Sequence, residues 1–468
     1  MLFNSLTFVV FLPIVLLLVS RQRVGVRNWI LLGASYVFYG CWNWKFLFLL
    51  MGQTVVDHTA ARIIHGSTNP RVRKVAMITS ITINLTVLGL FKYFNFFVDS
   101  AARMIESLGG QANLPTLQLI LPVGISFYTL QAMSYVIDTY RGVTAPAARL
   151  RDFALYVAYF PHLVAGPIQR ATDLLPQLES PGRVTTERIN MGLMLMMIGF
   201  TKKVVIADSV ANMTGAIYSH PEGLSTGILL KGAYLYTLQI YCDFSGYSDI
   251  ARGVSELLGV RLTENFQQPY LSQSVTEFWR RWHISLSSWL RDYLYIPLGG
   301  SRLGEVRTYW NVMITWLACG LWHGAAWTYV LWGGLNGVYI CIERLVGIGR
   351  HMPRTPRTAG EWTRRIAASV ITFHLIVITF IIFPAPSFSH LWHYISGILA
   401  WQGVGDVGWL PLIAAMAVFA IDIPQNASGD QTVFLRLPWW IQSPTYAALL
   451  LVMVLYGERE IPFIYFQF

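Results

Sequence analysis

Charge is scarce in this sequence. Asp, Glu, Lys and Arg make up 12% of its 468 residues and apolar residues 54%, whereas soluble domains carry roughly 25% charged residues. That ratio excludes a water-soluble multidomain chain, the default expectation for this length. Cysteine is sparse as well. Cys41, Cys242, Cys319 and Cys341 stand far apart within or beside apolar runs and form no CxxC pair. Neither a disulfide framework nor a zinc site is supported, no metal is expected, and the four read as small packing residues. No GxGxxG or Walker lysine motif appears, which removes the usual nucleotide folds. The serine in "DFSGYSD" (243–249) lacks the first glycine of a GxSxG elbow. Neither His283 nor His323 begins an HxxxxD pattern, because Ser288 and Thr328 hold the fifth positions. Internal repeats and long linkers are missing too, so 1–468 reads as a single membrane domain.

What is present in quantity is apolar sequence. The runs 6–20, 28–42, 46–63, 75–97, 153–168, 191–210, 228–250, 310–341, 366–383, 407–423 and 444–456 carry few charges. Lengths near 20 residues suit a hydrocarbon core about 30 Å thick, so the fold class expected is an all-α polytopic membrane protein held in the lipid bilayer. The first run has no basic segment before it and no small-residue cleavage site, and is expected to stay as a span. The formal charge of +10 sits in short loops: Arg21, Arg23 and Arg27; Arg71, Arg73 and Lys74; and 350–365. The positive-inside rule puts these loops in the cytoplasm. The span count then places the N-terminus, the loop 99–115 and the C-terminal "FIYFQF" outside. Nucleic acid is not an expected partner; the charge reports topology and an attraction for an anionic donor.

Two stretches depart from plain spanning helix. In "LPVGISFY" (121–128), Pro122 and Gly124 disfavour a continuous helix and suggest a re-entrant segment over a simple span. In "SVTEFWRRWHISLSSWLRDYLY" (274–295), Ser274 and Glu277 have capping-box spacing. Helical periodicity there gathers Phe278, Trp279, Trp282, Leu286, Trp289, Leu290 and Tyr293 within about 120° of arc, with Arg280, Arg281, Ser285 and Arg291 opposite. The pattern predicts one amphipathic helix in the membrane interface, with His283 at the edge of its apolar arc.

An ionisable group at membrane depth is costly and is a functional candidate. His323 in "GLWHGAAW" (320–327) is the sharpest case. Gly320 and Gly324 permit close backbone approach or a broken helix, and apolar surroundings favour the neutral imidazole that a general base requires. The competing assignment is a histidine that ties helices together by a hydrogen bond. His374, in "ITFHLIVITF", has no glycine or polar neighbour and reads as such a tie. His162 reads as a structural donor near a helix end. Asp243 and Asp249 lie six apart, about 120° round a helix, and read as caps or helix-to-helix bonds rather than a carboxylate pair.

Assembled, these residues resemble the membrane-bound O-acyltransferase family, in its bacterial branch that modifies secreted and cell-wall polymers. The likeness runs through "LLGASYVFYGCW" (31–42), "LPVGISFYTLQAMSYVIDTYRG" (121–142), "FPHLVAGPIQR" (160–170) and "YCDFSGYSDIARG" (241–253). It continues through 264–300, "GLWHGAAWTYVLWGG" (320–334) and the tail "FIYFQF". Residues 1–345 are the most family-like, with a catalytic block at 264–345, and 346–468 supply C-terminal spans. Between about 385 and 440 the likeness is weak. Family members often carry an Arg after the span's final "IF", where this chain reads "FPAPS" from Phe383, a departure that bears on partner contacts at the outer face.

The resemblance implies a multi-helix bundle with re-entrant and interfacial helices around a central funnel. It maps the family-wide histidine onto His323 and the second histidine of the bacterial branch onto His283. The activity implied is transfer of acetyl from a cytoplasmic thioester, acetyl-CoA or an acylated phosphopantetheine carrier, with no tightly bound cofactor. The acceptor would be a secreted polysaccharide, alginate or cellulose, reached directly or through an extracytoplasmic acetyltransferase partner, in the bacterial inner membrane. His323 would take the hydroxyl proton, and His283 would orient the donor or stabilise the oxyanion. Arg280, Arg281 and Arg291 would meet donor phosphates or else snorkel to lipid headgroups, with Trp282 and Trp322 beside the substrate. The alternatives are D-alanyl transfer to teichoic acids and a non-catalytic transporter, and the latter predicts internal repeats that the sequence lacks.

Overall fold

The computed structural model describes residues 1–348, 358–456 and 461–464. Residues 350–357 of the basic stretch 350–365 and the last four residues of "FIYFQF" lie outside the described residues. Every regular element among those described is helical. Four helical stretches, Pro70–Ser107, Thr186–Ser219, Ala359–Ile382 and Leu410–Ser428, are long and apolar enough to cross a bilayer. The chain forms two compact units, Met1–Leu193 with Ala251–Thr263, and Met194–Ile250 with Glu264–Phe468.

The first unit opens with α1 (Leu6–Val19), α2 (Val24–Asn43), α3 (Lys45–Gly66), α4 (Pro70–Leu88) and α5 (Phe94–Ser107). Asn69 accepts from the Arg71 amide at 2.9 Å, and Pro70 occupies the first turn, where an amide hydrogen is not needed. In α1, Leu6 and Leu17 are 80% and 76% exposed, an apolar face suited to lipid. The next helix, α6 (Ile125–Arg141), is buried along most of its length. Pro122 and Gly124 stand at its beginning: Gly124 has φ 77, and a Cβ there would meet the Leu163 carbonyl at 2.7 Å.

One expected span is absent. The run 153–168 is not a helix long enough to cross; it divides between the nine-residue α7 (Leu150–Ala158) and an irregular turn that leads to α8 (Ala171–Glu179). Pro161 cannot extend the helix, and a Cβ at Gly166 would overlap His162. The segment is apolar because it is buried in protein: Tyr159, Phe160 and Leu163 are 0–1% exposed. Asn28 on α2 fastens it, donating to Asp152 at 3.2 Å and to the Leu178 carbonyl at 3.0 Å.

The chain passes into the second unit within α9 (Thr186–Phe200) and continues through α10 (Asp208–Ser219) and α11 (Thr226–Leu257). A π-helical stretch, Thr201–Ala207, joins α9 to α10 and rotates two lysines inward. Lys203 pairs with Asp208 at 2.8 Å and Asp243 at 2.6 Å, and Lys202 with Asp249 at 2.9 Å. Asp243 and Asp249 therefore serve separate lysines, as their offset round the helix suggested. Then come α12 (Val275–Arg281), α13 (Ile284–Leu290), α14 (Glu305–His323) and α15 (Trp327–Val346). Last are α16 (Ala359–Ile382), α17 (Phe388–Leu399), α18 (Leu410–Ser428) and α19 (Trp439–Tyr456).

The run 310–341 is two helices rather than one span. The helices α14 and α15 form a hairpin so close that a Cβ at Gly320 would overlap the Tyr329 carbonyl, and one at Gly333 the Trp316 carbonyl. At the open end Arg344 pairs with Glu305 at 2.7 Å. Such a hairpin returns the chain to the side it left. The interfacial stretch also differs from expectation: it is two short helices, α12 and α13, broken at Trp282 and His283.

Candidate active site

The break between α12 and α13 is where the site begins. Each of the first four amides of α12 has an acceptor. Val275 and Thr276 donate to the two carboxylate oxygens of Glu343 on α15, Glu277 donates to Ser274 Oγ at 3.0 Å, and Phe278 to the Ser274 carbonyl at 2.9 Å. The helix ends after two turns because His283 takes up φ 45, ψ 52, a left-handed conformation that non-glycine residues rarely adopt. Residues 265–267 run beside it: Gln267 donates to the Arg281 carbonyl at 2.9 Å and Ile284 to the Asn265 carbonyl at 3.0 Å. The turn drives the imidazole inward, where His283 is 0% exposed and meets the Phe244 ring of α11 edge-on at 4.7 Å.

His323 is the last residue of α14, and Gly324 is the point where the hairpin turns. A Cβ on Gly324 would overlap the Tyr329 ring. The glycines flanking His323 thus serve both purposes read from sequence, close approach at Gly320 and a helix break at Gly324. Aromatic rings enclose the histidine: Trp332 at 4.9 Å, Trp322 at 5.0 Å and Phe383 at 5.4 Å, each near perpendicular. Its ring centre lies 6.4 Å from that of His283, and Trp322 lies 5.9 Å from His283. Two imidazoles 40 positions apart in sequence are thus buried side by side among aromatic rings. Trp332 is 1% exposed, and its Nε1 has no hydrogen-bond partner among the described residues.

A cavity of about 980 Å³ opens beside this aromatic cluster. Arg280, Arg281 and Arg291 all line it, as do Arg344 and Arg365, with Glu277 and Glu343 as the acidic members. Arg281 is committed, pairing with Glu277 at 2.6 Å and donating to Asn426 at 2.8 Å. Arg291 pairs with Asp292 at 2.8 Å, and that hydrogen bond raises its pKa further above the ordinary value. Arg280 is exposed and forms no ion pair among the described residues, so it is the guanidinium most available to an incoming anion. Neither histidine lines the cavity. Its inner wall is Trp279 and Trp316, 4.5 Å apart, and Trp279 touches Trp332 at 5.5 Å. A single indole therefore separates the arginine-lined space from the ring that packs on His323.

The remaining site candidates fall elsewhere. Trp282 lines no part of the cavity; its indole fills an aromatic core with Phe266 at 5.1 Å, Phe278 at 5.4 Å and Phe380 at 5.4 Å. His374 does not tie two helices, because its Nδ1 bonds the Val370 carbonyl of its own helix at 2.7 Å. His162 is buried, yet neither ring nitrogen has a hydrogen-bond partner among the described residues, so the expected structural donation is not made. Sequence reading missed Asn265, Asn336 and Glu343. Asn336 accepts from Trp279 Nε1 at 3.1 Å and orients the wall indole. For Asn336 and Glu343 the available signal was a polar residue inside an otherwise apolar helix; Asn265, in the irregular chain between α11 and α12, gave none.

Comparison with known proteins bears on this geometry. Residues 147–384 match the model of the membrane-bound O-acyltransferase family, a range that holds both histidines and every arginine of the cavity. The chain is 44% identical over 409 residues to the probable alginate O-acetylase of Pseudomonas aeruginosa, covering 86% of this chain and 76% of that protein. It is 33% identical to the peptidoglycan O-acetyltransferase of Helicobacter pylori, covering 86% and 81%. It is 30% identical to the teichoic acid D-alanyltransferase of Streptococcus thermophilus, covering 57% and 69%. This multi-pass membrane protein belongs to the membrane-bound O-acyltransferase family and is an O-acyltransferase.

Proposed function

We propose that this chain is an O-acetyltransferase of the bacterial inner membrane, with both termini in the periplasm. It takes acetyl from a cytoplasmic thioester, acetyl-CoA or an acylated phosphopantetheine carrier, and delivers it to hydroxyls of a secreted polysaccharide such as alginate or cellulose. Delivery is direct or through an extracytoplasmic acetyltransferase partner. The observation that carries the proposal is the convergence of His283 and His323, 6.4 Å apart and buried among aromatic rings, beside a cavity lined by arginines. The names of the alginate and peptidoglycan relatives support acetyl as the group moved and a polysaccharide as its destination.

In this mechanism, neutral His323 accepts the proton of the acceptor hydroxyl while that oxygen attacks the thioester carbonyl. The C–S bond breaks, and the imidazolium returns its proton to the departing thiolate. A positioned base of this kind contributes about 10²–10⁴-fold. His283 orients the donor or stabilises the oxyanion, and Arg280, with Arg281 and Arg291 behind it, meets the donor's phosphates. Trp322 packs against both imidazoles and fixes their separation.

The test is transfer by the purified full-length protein in detergent. Labelled acetyl-CoA and, separately, an acetylated carrier protein are supplied with a mannuronate or glucan oligosaccharide. Acetyl ester on the sugar, or hydrolysis of one thioester that depends on His323, is the expected result. Protein that binds neither donor and releases no thiol from either would overturn the proposal.

A further inference from the structure

Asn265 sits between α11 and α12, and its contacts converge on the residues around His283. Its backbone carbonyl accepts from the Ile284 amide at 3.0 Å. Its side-chain Oδ1 accepts from the Ser285 amide at 3.1 Å and the Ser285 hydroxyl at 2.9 Å. His283 Nδ1 lies 3.4 Å from that same oxygen. These bonds bracket the left-handed turn at His283 from its C-terminal side. Asn265 is itself 1% exposed, so water does not compete for them.

The chemistry of these partners fixes a proton. A backbone amide can only donate, so the atom that faces Ser285 is the carboxamide oxygen and not the nitrogen. An oxygen acceptor opposite Nδ1 requires the hydrogen on Nδ1, which leaves the lone pair of the neutral ring on Nε2. We propose that Asn265 is a positioning residue that holds His283 in the Nδ1–H tautomer and so leaves Nε2 as the acceptor atom of the ring. The inference rests on the proposed role of His283 in acyl transfer and narrows it. A neutral ring whose hydrogen is already given to Asn265 has none for an oxyanion. His283 therefore orients substrate by accepting a hydrogen bond. Among the described residues, the rings that pack on it include Phe244 of α11 and Trp322 and His323 of α14, and of these His323 is titratable.

The experiment uses full-length protein labelled with ¹⁵N-histidine, the His283 signals being assigned by their loss in His283→Gln. The expected spectrum has a pyrrole-type Nδ1 and a pyridine-type Nε2, and a mixture of tautomers in Asn265→Ala. This readout does not depend on which donor or polymer the enzyme uses, so its failure is distinct from failure of the proposed function. In acetyl-CoA turnover, Asn265→Ala is expected to lower kcat by about 10²-fold, with KM nearly unchanged, as misplacement of a site group does. Asn265→Asp keeps the acceptor and should recover most of that loss. Its carboxylate also favours imidazolium, so the acid limb of the pH profile should move up by about one unit. A pyridine-type Nδ1 in the native protein would overturn the proposal. So would an Asn265→Asp profile unshifted while Asn265→Ala loses activity only in step with folded protein.

Discussion

Glu343→Ala tests how the arginine-bearing helix is held. The Glu343 carboxylate takes the amides of Val275 and Thr276, the first two of α12, and no side chain of α12 itself can replace it, since Ser274 is occupied by Glu277. The two amides differ in the cost of losing that acceptor. Val275 is 0% exposed, so its amide would be left without a partner, a cost of about 1–3 kcal/mol. Thr276 and Glu343 both line the cavity, where water can reach the Thr276 amide, and that loss falls to about 0.5–1 kcal/mol. The sum is about 1.5–4 kcal/mol. It falls on a helix of seven residues, too short to persist without its cap.

Heat-induced aggregation of the detergent-solubilised protein measures the effect, with native protein, Glu343→Gln and Glu343→Ala side by side. Gln keeps one carbonyl oxygen but turns an NH₂ toward the second amide, so it should recover roughly half of the Ala loss. Because α12 leads directly into Arg280, Arg281 and the His283 turn, donor KM should rise in the same order. Equal aggregation temperatures for Glu343→Ala and native protein would refute the accounting of α12's amides. A Glu343→Gln protein less stable than Glu343→Ala would refute the assignment of Glu343 as acceptor.

His323→Ala should abolish acetyl transfer and leave the folded protein intact on size exclusion; His323→Gln should do no better, since an amide cannot take the proton, and an active Gln variant would remove His323 as base. Trp332→Phe keeps an aromatic ring against His323 and removes Nε1–H; if that hydrogen meets the developing oxyanion, kcat falls about 10²-fold, well beyond the loss of folded protein caused by the smaller ring. Lys203→Met strands Asp208 and Asp243 in the interior, and breaking a buried pair from one side costs about 3–5 kcal/mol, so folded protein in membranes should drop sharply. A cysteine at Thr358 should resist a membrane-impermeant label applied from the periplasm, and one added after Phe468 should react, in a version lacking native cysteines; the reverse would invert the donor side.

Legibility of the fold tracked what apolar sequence can and cannot say. Helices facing lipid and helices buried in protein have the same composition, so 153–168 looked like a span although it packs inside the first unit. Pro161 and Gly166 were the visible contrary signs. The run 310–341 hid a hairpin because Gly324 interrupts the backbone without interrupting hydrophobicity. In 274–295 the cap at Ser274 was readable and the break at His283 was not. A histidine in the left-handed region has no local sequence signal when the bonds that hold it come from Asn265, 18 positions away.

The site divides the same way. Its candidate histidines were legible because an ionisable group amid apolar residues is conspicuous by cost, and Arg280, Arg281 and Arg291 because they gather opposite an apolar arc. Asn265, Glu343 and Asn336 were not, since each acts on a residue far along the chain: on His283, on the amides of α12, and on Trp279. All three are polar side chains buried at 0–8% exposure, and all accept hydrogen bonds that would otherwise go unmade. Burying an unmade bond costs more than making one gains. Such residues therefore fix one geometry against its near alternatives more than they add to stability. Here the geometry concerns two imidazoles within 6.4 Å and an indole wall beside an arginine-lined cavity. The candidate acid–base groups can be named from the sequence, while the side chains that hold them in place become visible only once the chain is folded.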